Sequence, residues 1–257
     1  EKCKNKIKIA MIGKYVDLVD SYKSLNEALY HAGVINNRIV DIVYLDSEKL
    51  NKRNIKQLSK MDGILVPGGF GERGIEGKIL AAEFARVNDI PYFGICLGMQ
   101  ISVIEFARNV MKLNKANSTE FNKNTKYPVV ALVEEWREKS GKRILADKSK
   151  MGGTMRLGSQ ECIINKDSLA YKMYSKLKIA ERHRHRYEVN GNLIGDFEKN
   201  GLAFSGKSKK GNLMEIIELK DHAWYIGCQF HPEFTSSPIK GHPLFNGFID
   251  AASKRKR

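Results

Sequence analysis

The sequence predicts an α/β protein whose mostly parallel central sheet is flanked by helices, with an additional region of antiparallel strands. Three features carry the prediction. Short apolar runs of strand length alternate with helical patterns through the first half of the chain, the β-α-β rhythm of parallel strands joined by crossover helices. Glycines stand where these runs give way to the next segment, as expected of turns. The final third returns to strand-like runs before a short closing helix.

Taken in order, Ile7-Lys8-Ile9-Ala10-Met11-Ile12-Gly13 is the first strand, closed by its glycine. A helix is expected around 21–31, where Leu25, Ala28, Leu29 and Ala32 recur at helical spacing and Gly33 supplies a stop. Runs 39–45, 63–66 and 91–95 are further strands, with helices expected over 50–61, 78–87 and 99–107. From about 109 to 158 the texture becomes polar and rich in glycine and lysine, with 128–133 as one strand and 134–142 as a surface hairpin or loop. Strands follow at 213–219 and 224–230, then a helix from Pro243. No internal repeat or long linker interrupts the chain, so residues 1–257 are expected to form one domain. The sequence starts at Glu1 rather than Met, which suggests a piece of a longer protein.

Composition narrows the function classes. Hydrophobic residues make up 42% and charged residues 28%, near the averages for folded soluble proteins, so disorder is excluded as the main state. No apolar run approaches the roughly 18 residues of a membrane span, and no long apolar signal core follows Glu1-Lys2-Cys3-Lys4-Asn5-Lys6. Cys3, Cys96, Cys162 and Cys228 are widely spaced with no C-x-x-C pair, which argues against a disulfide framework and a zinc site. A cytoplasmic protein with no membrane partner is expected. The net charge of +15 biases the surface toward anions. The lysines are nevertheless scattered and no nucleic-acid reading motif appears, so no nucleic-acid partner is expected. The tail Ser253-Lys254-Arg255-Lys256-Arg257 reads as solvated charge at a terminus.

Two glycine motifs need separating. Gly69-Phe70-Gly71-Glu72-Arg73-Gly74 fits G-x-G-x-x-G but follows the wrong strand for a dinucleotide fold, and Gly77-Lys78 lacks the rest of a phosphate loop. Pro67-Gly68-Gly69 is better read as a tight turn that exposes backbone N–H donors. Gly94-Ile95-Cys96-Leu97-Gly98 is the cysteine form of the G-x-S-x-G elbow, which places a nucleophile on a sharp strand-to-helix turn beside free helix N–H groups. A lone cysteine in such a run is as readily an inert core residue. A base changes that balance. In Gln229-Phe230-His231-Pro232-Glu233, a strand conformation would put His231 and Glu233 on one side and Pro232 on the other. Cys96, His231 and Glu233 would then serve as nucleophile, base and orienting carboxylate.

These three motifs, in this order, resemble the triad (class I) glutamine amidotransferases, which release ammonia from glutamine. Within that family, Phe70-Gly71-Glu72-Arg73-Gly74, Asn117-Ser118-Thr119-Glu120-Phe121, Gly152-Gly153-Thr154-Met155-Arg156-Leu157-Gly158 and the segment from Glu181-Arg182-His183 to Val189-Asn190 are similar to the C-terminal glutaminase domain of the CTP synthases. The resemblance covers nearly the whole chain and implies a set of roles. Cys96 would form a glutamyl thioester, His231 would shuttle the proton, and Glu233 would hold the imidazole. The N–H groups of Gly69 and Leu97 would form the oxyanion hole. Gln100, Glu120 and Arg186 would hold the amino and carboxylate groups of L-glutamine, with Phe70 lining the pocket. Arg73 would lie near the site of activation by GTP, or form an ordinary surface salt bridge.

The resemblance further implies no cofactor for this domain. ATP, Mg2+ and UTP belong to an amidoligase domain that is absent from the chain and would be its partner, in a full-length enzyme that is a homo-oligomer. His183 and His185 form H-x-H, but a metal there is not expected because Arg182, Arg184 and Arg186 surround them. Two other readings remain: a different Cys-elbow hydrolase, such as a γ-glutamyl hydrolase or a glutaminase serving another synthetase, and a non-catalytic scaffold. The segments 152–158 and 181–190 speak against the first, and the intact Cys, His and Glu set against the second.

Overall fold

The computed structural model describes residues 5–14, 19–132, 155–209 and 213–255. Its first half runs β1 (Asn5–Gly13), α1 (Lys23–Ile35), β2 (Arg38–Asp46), β3 (Gly63–Val66), α2 (Ile75–Val87), β4 (Tyr92–Ile95) and α3 (Leu97–Asn109). There follow β5 (Asn117–Ser118), β6 (Pro128–Leu132), β7 (Arg156–Ile164), α4 (Leu169–Tyr174), β8 (Lys178–His185) and β9 (Tyr187–Val189). The chain ends with α5 (Ile194–Lys199), β10 (Leu202–Ser208), β11 (Met214–Leu219), β12 (Tyr225–Cys228) and α6 (Pro243–Lys254).

Among the described residues the large sheet has the order β2-β1-β3-β4-β12-β11-β10-β7-β8. Its pairings are parallel from β2 to β12 and antiparallel from β12 to β8. A smaller sheet, β5-β6-β9, packs beside α3.

Alternation along the parallel strands separates two cores. Ala10, Ile12, Ile64, Val66 and Tyr92 face α2 and α3. Ile9, Met11, Leu65, Phe93 and Ile95 face α1 and α6. On the second face the Phe93 ring meets Trp224, Phe245 and Phe248 at centroid distances of 5.6, 5.1 and 5.7 Å. Each such ring contributes about 1.5–3 kcal/mol by its burial. No helix among the described residues is long and apolar enough to cross a membrane.

Three expectations are corrected. Residues 50–61 do not form a full helix; the described turn is a 3-10 helix over Ile55–Lys60. Asn51 and Asn54 hold the preceding backbone in local turns, Asn51 accepting from the Arg53 N–H at 2.9 Å and Asn54 donating to the Lys49 carbonyl at 2.9 Å, the usual competition of asparagine with a helix. Gly33 does not stop α1, which continues to Ile35. A Cβ there would lie 2.8 Å from Val40 Cγ2 and 2.9 Å from the Arg38 carbonyl, so this glycine permits a close approach of helix to strand. The basic tail is not wholly solvated, because Arg255 Nη1 donates to the Met61 carbonyl at 2.8 Å. The loop expected at 134–142 lies outside the described residues, as do Cys3 and 152–154.

Candidate active site

The site forms on one edge of the sheet. β1, β3, β4 and β12 are parallel neighbours, so their carboxyl ends lie together. Beyond those ends come Lys14, the Gly68-Gly69 turn, Cys96 and the segment Gln229-Phe230-His231. The chain leaves β1 for β2 on one side and resumes with β3 on the other, and such a reversal opens a crevice at the carboxyl edge.

At the end of β4 the chain turns into α3 within one residue. Cys96 has φ 51° and ψ −100°, a conformation costing a non-glycine residue about 1–3 kcal/mol. Its N–H donates to the Cys228 carbonyl at 2.7 Å, and the Tyr92 hydroxyl donates to the Gly98 carbonyl at 2.9 Å, pinning both sides of the elbow. The turn leaves no room for side chains at its glycines. A Cβ on Gly94 would lie 2.6 Å from the Gly98 carbonyl, and one on Gly98 would lie 2.1 Å from the Val66 oxygen. Cys96 therefore stands at the N-terminus of α3, where the leading N–H groups lack intrahelical partners and the helix dipole is positive.

His231 Nδ1 lies 2.8 Å from Glu233 Oε1. The pairing is as expected but its route is different. β12 ends at Cys228, and Pro232–Thr235 is a 3-10 helix with Pro232 in its first turn. The turn, rather than strand alternation, brings imidazole and carboxylate together. Phe234 stacks on the His231 ring at 5.4 Å, and the His231 N–H donates to the Arg182 carbonyl at 2.8 Å. Burial, the largest single influence, pushes the His231 pKa down, yet hydrogen bonds to Cys96 and Glu233 and their charges outweigh it and raise it to about 10. Gly68 is wedged beside this pair, since a Cβ there would meet His231 Cε1 at 2.8 Å and Cys96 Cβ at 3.5 Å.

The glycine loop after β3 is tied down by charge. Lys14 Nζ donates to the Phe70 carbonyl at 2.5 Å, and Glu120 Oε1 accepts from the Gly71 N–H at 2.7 Å. Gly71 (φ 76°) and Gly74 (φ 69°) supply the left-handed backbone that this loop requires. Burial raises the Glu120 pKa, with the Gly71 hydrogen bond and the charges of Lys14 and Lys78 opposing. Gly69 stands next to Leu97, whose Cδ2 would be 3.4 Å from a Cβ at that glycine.

Gln100, on the buried face of α3, donates from Nε2 to the Tyr187 carbonyl and to Gln229 Oε1, both at 3.1 Å. Arg186 lies exposed at the bend between β8 and β9, immediately before Tyr187. The Phe70 side chain is exposed. Arg73 pairs with Glu48 through Nε at 3.1 Å and Nη2 at 2.9 Å, which is the surface salt bridge of the two roles open to it.

The H-x-H pair is placed differently from expectation. Alternation along β8 turns Glu181, His183 and His185 inward and leaves Arg182 and Arg184 exposed, so those arginines are not what faces the rings. Arg156 occupies that face instead, 3.0 Å from Glu188 and 2.8 Å from Glu215. Burial, then the charge of Arg156, lowers the His183 pKa to about 2. No group of three or more potential metal ligands occurs among the described residues.

Residues 17–251 match the family model "Glutamine amidotransferase class-I". The chain belongs to the class I glutamine amidotransferase family. Among solved structures, this amidotransferase is similar to the glutaminase domain of CTPS from Trypanosoma brucei, solved with bound acivicin. The identity is 40% and the TM-score 0.86, over 98% of this chain and 95% of that one. A glutamine amidotransferase from Thermotoga maritima shares the fold at 13% identity and a TM-score of 0.50, covering 97% of each chain. One from Methylobacillus flagellatus does so at 10% and 0.51, over 89% of this chain and 70% of that one.

Sequence reasoning assigned no role to three side chains at the candidate site: Lys14, Lys78 and Gln229. The available signal was polarity in an apolar context. Gln229 directly follows the buried run Tyr225–Cys228, and Lys78 lies on the inward face of α2 with Ile75 and Ile79. Burial, then the charge of Lys14, lowers the Lys78 pKa to about 7, with Glu120 opposing. An unfolded lysine keeps its proton to about 10.5, so between those two values the unfolded state holds the extra proton and stability rises with pH. Below the lower value the cost of burying the charge is present in full. Lys78→Met is therefore expected to unfold at a higher temperature than the parent near pH 6 to 7, with the gap closing toward about pH 10. Equal gaps across that range in thermal melts would contradict the burial of a charged Lys78.

Proposed function

We propose that the chain is the glutaminase domain of a CTP synthase, hydrolysing L-glutamine to glutamate and ammonia. The observation that carries the reading is Cys96 on its strained elbow, beside a His231 with which it flanks Gly68 and which is itself paired with Glu233 at 2.8 Å. It is supported by the 40% identity to a CTPS glutaminase domain that binds acivicin, a glutamine analogue.

The Cys96 sulfur attacks the side-chain carbonyl carbon of glutamine. The carbonyl oxygen, taking on negative charge, accepts from the N–H groups of Gly69 and Leu97. His231, with its raised pKa, gives its proton to the departing nitrogen as the C–N bond breaks, leaving a glutamyl thioester and ammonia. Water then attacks the thioester, His231 takes its proton, and the sulfur leaves with glutamate released. Glu233 keeps the imidazole oriented and offsets its charge. Arg186 suits the substrate's α-carboxylate, and Glu120 with the Gln100 oxygen suits its α-ammonium, while Phe70 covers the pocket.

The ammonia serves an amidoligase domain that converts UTP to CTP with ATP and Mg2+, in a homo-oligomeric cytoplasmic enzyme. GTP activates the glutaminase step, with Arg73 released from Glu48 to meet it. The domain itself uses no cofactor.

Incubation with acivicin followed by mass spectrometry tests the reading. A single adduct on Cys96, suppressed by free glutamine and lost in Cys96→Ala, is the expected result. Labelling at Cys96 that glutamine does not suppress, with the amidoligase domain restored and GTP present, would refute it.

A further inference from the structure

We propose that Gln229 is a catalytic residue of the cysteine site: anchored through Gln100 on the Tyr187 carbonyl, its side-chain amide presents an N–H donor to the Cys96 sulfur and favours the ionised form of that sulfur.

The direction of the relay is fixed at its far end. A backbone carbonyl can only accept, so Gln100 must turn its NH2 group toward Tyr187 O, at 3.1 Å. The second hydrogen of that NH2 goes to Gln229 Oε1, also at 3.1 Å. Gln229 is then obliged to place its own NH2 on the opposite side, where Nε2 lies 3.6 Å from Cys96 Sγ. Reversing either amide would set donor against donor or acceptor against acceptor. Water cannot relieve such a conflict, since Gln229 and Gln100 are 0% and 3% exposed. Ordinary ambiguity about which way an amide points is thereby removed.

The acceptor explains what the donor is for. A neutral thiol accepts hydrogen bonds weakly, whereas an ionised partner roughly doubles the strength of a bond. A donor held against sulfur therefore gives more to the thiolate than to the thiol. The backbone keeps the two groups in register: the Gln229 N–H donates to the Glu215 carbonyl at 2.9 Å, and the Cys96 N–H to the Cys228 carbonyl at 2.7 Å. His231 and Cys228 are the other titratable groups facing Cys96, with Glu233 behind the imidazole. The amide adds a neutral donor, which does not consume a proton or change the charge of the site.

The relay also starts where the substrate would end. Arg186 directly precedes Tyr187, the relay's anchor, and Gln100 keeps its oxygen free of both relay bonds, so of the groups proposed to hold glutamine one adjoins the relay and another belongs to it. This second part rests on the glutaminase reading; the hydrogen bond to Cys96 does not.

The test is the pH titration of thiolate ultraviolet absorbance in the 257-residue chain, taking Cys96→Ser as the blank, together with the rate of iodoacetamide alkylation at Cys96. Gln229→Leu removes the amide at similar volume. Gln229→Glu keeps an acceptor for Gln100 and faces sulfur with a carboxylate oxygen, and it decides the matter alone if the leucine variant does not fold. For Gln229→Leu the titration midpoint is expected to rise by about one pH unit, with about tenfold slower alkylation at neutral pH; Gln229→Glu should shift further. Titration of the folded variants with the parent would overturn the proposal. Loss of the glutaminase reading has a different signature, namely acivicin labelling that glutamine fails to suppress whatever the titration shows.

Discussion

Cys96→Ala is expected to abolish glutamine hydrolysis, by at least about a thousandfold, while leaving the fold intact. The first half follows from chemistry, since the other thiol near that edge, Cys228, is fully buried, which raises its pKa well above the ordinary thiol value, and its Sγ donates to the Phe230 carbonyl at 3.5 Å. The second follows from the backbone. Cys96 already holds φ at 51° with a Cβ in place, so alanine inherits the same strain and removes only the sulfur. Chemical denaturation of Cys96→Ala should fall within about 1 kcal/mol of the parent. Cys96→Gly, equally inactive, should be the more stable of the two by about 1 kcal/mol, because glycine adopts positive φ without penalty. Residual turnover in Cys96→Ala would remove the thioester from the mechanism. Equal stability of the alanine and glycine variants would mean that the elbow is not strained.

Gly98→Ala is expected to cost about 3 kcal/mol of stability or more, with activity lost alongside. The added Cβ would meet the Val66 oxygen at 2.1 Å and its carbonyl carbon at 3.0 Å, both backbone atoms of a central strand. No rotamer change relieves that overlap. α3 would have to lift from β3, carrying Leu97 and Cys96 with it and separating the elbow from the Gly69 turn. Gly69→Ala is the control, because its Cβ would meet only Leu97 Cδ2, at 3.4 Å. Urea melts and glutaminase assays on both variants decide the point; a Gly98→Ala midpoint equal to that of Gly69→Ala would refute it.

What could be read from the sequence was whatever chemistry is local in it. Gly94-Ile95-Cys96-Leu97-Gly98 declares its turn because both glycines and the nucleophile fall within five neighbouring positions. His231 and Glu233 were identifiable as partners because only Pro232 separates them, even though a 3-10 turn, and not a strand, brings them to 2.8 Å. The parallel half of the sheet was legible from its apolar runs. The helix expected at 50–61 was not, because asparagine side chains compete for the backbone there and apolar spacing does not register that competition. Gln229 and Lys78 were missed for a related reason. Their roles depend on Gln100, Lys14 and Glu120, which only the folded chain brings near them. The inward histidines of β8 were misjudged because adjacent arginines are neighbours in sequence and opposites in a strand.

The position of β12 has a consequence for how the chain is made. This strand is the last of the twelve described strands in chain order, yet it lies inside the sheet, between β4 and β11, and it leads directly into Gln229 and His231. A chain emerging from the ribosome presents the nucleophile elbow long before its base, and β4 waits with an unpaired edge until residues 225–228 arrive. Pairing across so long a stretch of sequence is slow, and an open edge invites wrong partners in the interval. The same delay protects the cell from a half-built site: a nascent chain holds Cys96 without His231, and the sulfur acquires its base only once the residues that follow β12 have been made.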